Sequence, residues 1–178
     1  MRYEILFAGF GGQGIIKSAL LFSEAAGIYK DFEIAQSQSF GPEARGGACK
    51  SEVILSDTQI DYIKIVNIDS FMVMSQPAFD KYNTLIDPDN TIVLLDNTLI
   101  HNYSQSYKNL YCIDATNIAE KDFGRSLFAN IIMLGALTAV TNVIDLQDLE
   151  NALSGNVPDK TLDTNRQALR KGYEEFIH

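Results

Sequence analysis

Three glycines, at 9, 11 and 14, stand as G-x-G-x-x-G inside LFAGFGGQGI. An apolar run precedes them and a helical pattern follows. A strand, a glycine turn and a helix start form an anion-ready element, because the free N–H groups of the first turn and the positive end of the helix dipole face whatever docks there. Two readings stay open from these residues. The loop contacts a phosphate or other anion, or its glycines only permit a tight turn and close packing. A dinucleotide site fits poorly. It needs an acid about 20 residues on, at the end of the second strand, to hold a ribose. Asp31 and Glu33 fall before or at the start of that strand, whose end carries Ala35, Gln36 and Ser37. Gln13 is unusual in such a loop. Its amide both donates and accepts, which suits a defined polar contact with a ligand or a partner backbone.

A second constellation is SQSFGPEARGGACKSEVILSD, residues 37–57. Arg45 sits beside Gly46 and Gly47, with Gly41 and Glu43 just before it. Adjacent glycines let another backbone approach, and arginine offers a rigid fork of donors to a carboxylate, phosphate or carbonyl cluster. The plainer reading is a Glu43–Arg45 surface pair on an ordinary loop.

Other reactive residues are sparse. Cys49 and Cys112 lie far apart and in no C-x-x-C pattern, whereas a zinc or iron–sulfur site needs about four such ligands. They read as small thiols in a reducing compartment. His101 lies in the polar stretch LIHNYSQSY, and His178 is the last residue of the sequence. Neither reads as a general base, and no residue is expected to do covalent chemistry or proton transfer.

The elements that must position these loops alternate. Residues 3–8, 32–37, 49–56, 70–75, 91–95 and 110–113 read as strands by apolar run or alternation. Residues 15–29, 77–86, 126–140, 146–153 and 162–176 read as helices, with Pro77 suited to a first turn. NIIMLGALTAV is apolar nearly all round and should be buried, with Asn130 the polar exception inside it. Asn130 reads as a satisfied side chain bonded to loop backbone. The expectation is an α/β layered domain with a mixed or mostly parallel sheet and a helical C-terminal third, one domain over 1–178. The long loop between the second and third strands breaks a simple doubly wound pattern.

Bulk properties exclude some partners. The 178 residues carry a formal charge of -9, and no stretch is dense in Lys or Arg, which argues against a phosphate-tracking nucleic-acid binder. No apolar run approaches the roughly 18–20 residues that span a bilayer, and no signal sequence is read at the start. The chain reads as cytoplasmic.

Together, GFGGQGI, SFGPEARGG and SEVILSD closely resemble the gamma subunit of 2-oxoacid:ferredoxin oxidoreductases. The resemblance extends into IDYIKI at 60–65 and ANIIMLGAL at 129–137, with Ile63 standing where the motif often carries a proline. It implies that family's own α/β fold. It also implies an oxidative decarboxylation in which a 2-oxoacid, coenzyme A and oxidised ferredoxin give acyl-CoA, carbon dioxide and reduced ferredoxin. SEVILSDTQIDYIKI is most similar to the 2-oxoglutarate type; pyruvate and 2-oxoisovalerate enzymes are the alternatives. By the resemblance, thiamine diphosphate, Mg and iron–sulfur clusters sit on partner subunits, coenzyme A is a co-substrate of the complex, and this chain holds no cofactor and is inactive alone. The implied partners are thiamine- and substrate-binding subunits, an iron–sulfur subunit and, through the complex, ferredoxin. Gly9, Gly11, Gly12, Gln13 and Gly14, with Gly41, Glu43, Arg45, Gly46 and Gly47, then become either a subunit interface or a coenzyme A contact, with Asn130 in support. An isolated chain is expected to expose its apolar partner surface and to self-associate.

Overall fold

The computed structural model describes residues 1–39, 47–104 and 106–177. Its centre is a six-stranded sheet ordered β2-β3-β1-β4-β5-β6. These strands are β1 (Arg2–Phe10), β2 (Glu33–Ser39), β3 (Ala48–Ser56), β4 (Ser70–Val73), β5 (Ile92–Asp96) and β6 (Asn109–Ile113). β1, β4, β5 and β6 run parallel, each beside the next. β3 lies antiparallel to β1, and β2 antiparallel to β3. The sheet is mixed, and the break comes where the long loop interrupts the strand–helix alternation.

β1 shows why the layers form. Ile5 and Phe7 join one apolar cluster and Leu6 and Ala8 the other, all fully buried, as the two-residue period of a strand requires. The first cluster packs under α1 (Ile15–Tyr29), α4 (Ala129–Thr141), α5 (Leu146–Leu153) and α6 (Asp159–Glu174). The second packs under α2 (Gln76–Tyr82), whose Ala78, Phe79 and Tyr82 are buried. Ser75 caps α2 by accepting from the Ala78 N–H, and Pro77 sits in its first turn. Eleven consecutive residues of α4, from Ala129 to Ala139, are buried, which matches its apolar circumference. α4 and α6 cross on two glycines. A Cβ on Gly135 would lie 1.9 Å from the Leu169 carbonyl oxygen, and one on Gly172 would lie 1.8 Å from that of Ile132.

Several elements depart from the sequence reading. β1 continues through Gly9 to Phe10, because Gly9 and Phe10 still pair with Cys49 and Ala48 of β3. The second helix ends at Tyr82, and Asn83–Leu85 finish it as a tighter 3-10 turn. α6 begins at Asp159, one turn early. Between β6 and α4 an unexpected helix, α3 (Ala115–Phe123), ends on left-handed Gly124.

At the opposite edge from the glycine loop, buried Glu4 anchors the connection before β4. Its carboxylate accepts from the N–H groups of Val66 (2.5 Å) and Asn67 (2.8 Å) and pairs with Arg2 (2.6 Å). Arg2 in turn donates to the Tyr62 and Lys64 carbonyls.

Candidate functional site

The parallel strands end on one edge of the sheet. There β1 runs into the glycine loop, β4 into Met74 and Ser75, and β5 into the turn at Asp96–Ile100. The loop is pinned from within. The Gln13 side chain accepts from the Phe10 N–H at 2.9 Å and donates to the Met74 carbonyl at 2.6 Å. Both ends of its amide are therefore used inside the chain, tying the loop to the end of β4. A Cβ on Gly9 would fall 2.5 Å from the Gln13 Oε1 and 2.6 Å from the Ile15 side chain, so a larger residue there would displace the Gln13 amide that pins the loop.

Gly14 begins α1 in a left-handed conformation, with φ 79° and no side-chain cap. Asn130, at the start of α4, donates 3.3 Å hydrogen bonds to the Gly14 carbonyl and to the buried Ser18 hydroxyl. A Cβ on Gly14 would lie 2.5 Å from the Asn130 Nδ2. Asn130 thus joins α4 to the loop and the first turn of α1 through 116 residues of sequence separation.

Beside the loop lies a cavity of about 340 Å³, between Met74, the turn after β5, the start of α3 and the entry to α4. Thr116 and Glu120 of α3 line it, as do Leu99, Ser126 and Leu127. Asp96 fixes Thr116, one of these lining residues. Its carboxylate is fully buried at the end of β5 and accepts from the Thr98 N–H (3.1 Å), the Thr116 N–H (3.2 Å) and the Thr116 hydroxyl (2.5 Å). Burial raises its pKa, and the Thr116 and Thr98 hydrogen bonds oppose that rise. Sequence reasoning passed over Asp96, though an acid closing an apolar strand directly before Asn97 and Thr98 was a readable signal.

The other candidate residues fall differently. Gly11 and Gly12 are exposed at the tip of the loop. Gly47 leads into β3, whereas Gly41, Glu43, Arg45 and Gly46 lie outside the described residues. His101 is exposed, and its N–H donates to the Gln76 side chain. Cys49 is buried and its thiol pKa raised by that burial, while Cys112 is exposed on β6. Among the described residues no group of three or more His, Cys, Asp or Glu is placed to hold a metal ion. Among them, too, no helix is long and apolar enough to cross a membrane.

A family model described as pyruvate ferredoxin/flavodoxin oxidoreductase matches residues 4–175. The chain belongs to that family. Within it the chain is a gamma subunit of the 2-oxoacid:ferredoxin oxidoreductases. The 2-oxoglutarate synthase subunit KorC of Methanocaldococcus jannaschii is 43% identical, over 98% of this chain and 94% of its own. Two relatives named as pyruvate synthase subunits are 31% and 29% identical. The gamma subunit of a keto/oxoacid ferredoxin oxidoreductase from Geobacter sulfurreducens superposes with a TM-score of 0.88, at 38% identity, covering 98% of this chain and 95% of that one. The fold also recurs, with a TM-score of 0.85 and 23% identity, in the 2-oxoglutarate:ferredoxin oxidoreductase of Magnetococcus marinus, a structure holding 2-oxoglutarate, coenzyme A and succinyl-CoA. There it covers 99% of this chain but 32% of the longer one.

Proposed function

We propose that this gamma subunit serves a 2-oxoglutarate:ferredoxin oxidoreductase, as a single domain over residues 1–178 working in the cytoplasm. The observation that carries the substrate is the 43% identity to a 2-oxoglutarate synthase subunit over nearly the whole of both chains, against 31% and 29% for the pyruvate synthase subunits. The complex converts 2-oxoglutarate, coenzyme A and oxidised ferredoxin into succinyl-CoA, carbon dioxide and reduced ferredoxin. Thiamine diphosphate with Mg, on a partner subunit, supplies the electron sink for decarboxylation, and iron–sulfur clusters on another carry single electrons to ferredoxin.

This chain contributes a shaped surface. Gly9 to Gly14 and Gly41 to Gly47, with Gln13, Glu43 and Arg45, seat it against the thiamine-binding subunits, and Asn130 holds the first loop in register. The rigid pinning by Gln13 and Asn130 supports a preformed docking element. A second reading gives the same loops to coenzyme A, with the Gly14–Ile15 helix start and the Arg45 guanidinium facing its phosphates. The coenzyme A held by the Magnetococcus enzyme, which contains this fold, favours keeping it.

The test is purification of the tagged chain from its own anaerobic host, identification of the bound chains, and assay of ferredoxin reduction with a panel of 2-oxoacids. Recovery of thiamine- and cluster-binding subunits with 2-oxoglutarate preferred is the expected result. Recovery of the chain alone and inactive overturns the subunit role, and a preference for pyruvate overturns the substrate. Arg45→Ala separates the two site readings: weakened assembly favours the interface, and a raised KM for coenzyme A alone favours the ligand.

A further inference from the structure

The two edges of the sheet differ. β6 is five residues long, follows directly on Lys108, and has Phe176, from beyond the end of α6, against its Tyr111 with ring centres 5.8 Å apart. β2 is seven residues long and pairs with β3 on one side, and among the described residues no strand lies on its other side. Edge strands are ordinarily kept from pairing further by brevity, a lysine, a proline or a bulge. EIAQSQS holds no Lys, Arg or Pro, and it pairs with β3 one-to-one through all seven residues. Its one charge, Glu33, stands at the first position. Helix α1 adds a second observation. The chain reverses between α1 and β2, so that a Cβ on Gly27 would lie 3.2 Å from the Ile34 side chain. Leu20, seven residues before Gly27, shares that face of the helix. At about 1.5 Å per helical residue it lies roughly 10 Å back along α1, which is about three residues along β2. Leu20 therefore stands level with the middle of β2, and it is 43% exposed.

A row of main-chain N–H and C=O groups is matched by another strand, and β2 is complementary to itself. Two β2 strands set antiparallel about a twofold axis at Gln36 oppose Glu33 with Ser39, Ile34 with Gln38, Ala35 with Ser37, and Gln36 with its own copy. No two like charges face each other in that register. The same axis keeps both α1 helices on one face of the joined sheets, with the Leu20 of each beside the joint, where its exposed surface is covered. We propose that β2 is the contact surface between two copies of this chain, which pair antiparallel about Gln36 and join two six-stranded sheets into one. This goes beyond the gamma-subunit reading and does not depend on its substrate.

The test is the mass of the purified full chain by light scattering, from micromolar to tenth-millimolar concentration. Physiological salt is used, since screening beyond about 8 Å weakens the repulsion between two chains of charge -9. The wild-type chain should reach the mass of two copies. Gln36→Lys and Gln36→Glu, each setting like charges across the axis, should keep the thermal midpoint and run as single copies. Mixing these two variants in equal amounts should restore the pair, which a loss of folding would not allow. Leu20→Asp should weaken the pair by roughly tenfold or more, while Ile28→Asp, at a 60% exposed position on another face of α1, should leave it unchanged. A wild-type chain that stays single throughout overturns the inference, as do charge variants that still pair. Failure of the mixture to pair overturns the axis at Gln36. If the wild-type chain is single and Gln36→Lys instead releases a partner subunit from the purified enzyme, the edge belongs to that subunit and the inference is overturned in its favour.

Discussion

Substituting Gly135 by alanine should strongly destabilise this protein, although alanine is the better helix former. Position 135 lies in the buried middle of α4, where a Cβ would stand 1.9 Å from the Leu169 carbonyl oxygen and 2.9 Å from the Tyr173 nitrogen. Both are backbone atoms of α6, so no side-chain rotation relieves the clash. The shortfall from ordinary contact is roughly 1.5 Å, and even a 0.5–1 Å gap elsewhere along the crossing forfeits about a quarter to a half of each dispersion contact. Overpacking costs about 1–3 kcal/mol where side chains give way, and more where backbones must separate. Against that, Gly→Ala returns about 1 kcal/mol of helix propensity. The net expectation is about 2–4 kcal/mol, or a fall in Tm of roughly 5–15 °C for a chain of this length. Gly172→Ala, with its Cβ 1.8 Å from the Ile132 carbonyl oxygen, should cost a similar amount. The double variant should cost little more than the worse single one, because one separation of the helices accommodates both methyls. Thermal and urea unfolding followed by circular dichroism measure all three. An unchanged or raised Tm for Gly135→Ala, or full additivity in the double variant, would refute the close backbone crossing.

Three further outcomes follow from particular contacts. Tyr3 is held to a pKa of about 12, mainly by burial, with the Ser70 hydrogen bond opposing and the Asp69 charge adding to the rise. Its phenol should ionise late in an ultraviolet titration. Its stabilising effect is complete below the unfolded value near 10 and is lost as pH rises through about 12, a total of about 2–3 kcal/mol; Tyr3→Phe should flatten stability over that window, and an unchanged profile would count against the burial. Glu4→Ala strands the Val66 and Asn67 N–H groups and removes the carboxylate paired with Arg2, so amide exchange at 66 and 67 should accelerate and proteolysis should open the segment at 58–67, at a cost of about 2–3 kcal/mol. Asn130→Ala removes both hydrogen bonds to the Gly14–Ser18 turn and should cost about 1–2 kcal/mol, with faster amide exchange at the start of α1. Protection there equal to wild type would remove Asn130 as the loop's support.

The sequence made some of this legible and hid the rest for identifiable reasons. The central strands and α4 were readable because each is apolar on two faces or all round, and burial needs no knowledge of a partner. α3 was not, since ATNIAEKDF carries few apolar residues and buries only Ala115 and Ala119; Asp96, a tertiary contact, holds its start. The placement of β3 was equally hidden. Its alternation of apolar and polar residues announces a strand but not which neighbour it joins, and pairing with β1 is set by contacts far apart in the sequence, from Phe10 with Ala48 to Arg2 with Ser56. At the candidate site, the Gln13 amide reads in the sequence as suited to a ligand or a partner backbone, yet the fold spends it on Phe10 and Met74. Composition cannot distinguish an amide awaiting a partner from one already used.

The resemblance of the glycine loop to a dinucleotide fingerprint has the same origin. A strand that turns sharply into a helix needs glycine where the backbone is crowded or left-handed, whatever the helix then does. Dinucleotide recognition adds a requirement on the second strand, which must lie parallel beside the first with an acid at its end. Here antiparallel β3 and parallel β4 take the places on either side of β1, while β2 stands outside β3. Because β2 runs antiparallel to β3 and β3 antiparallel to β1, β2 keeps the direction of β1 but is separated from it by a full strand. With strands about 4.8 Å apart, that displacement carries the end of β2 roughly 10 Å from β1. Even an acid at Ser37 would therefore lie a strand too far away to take the fingerprint's usual place beside β1. Topology, more than the missing residue, separates this loop from the fingerprint it spells.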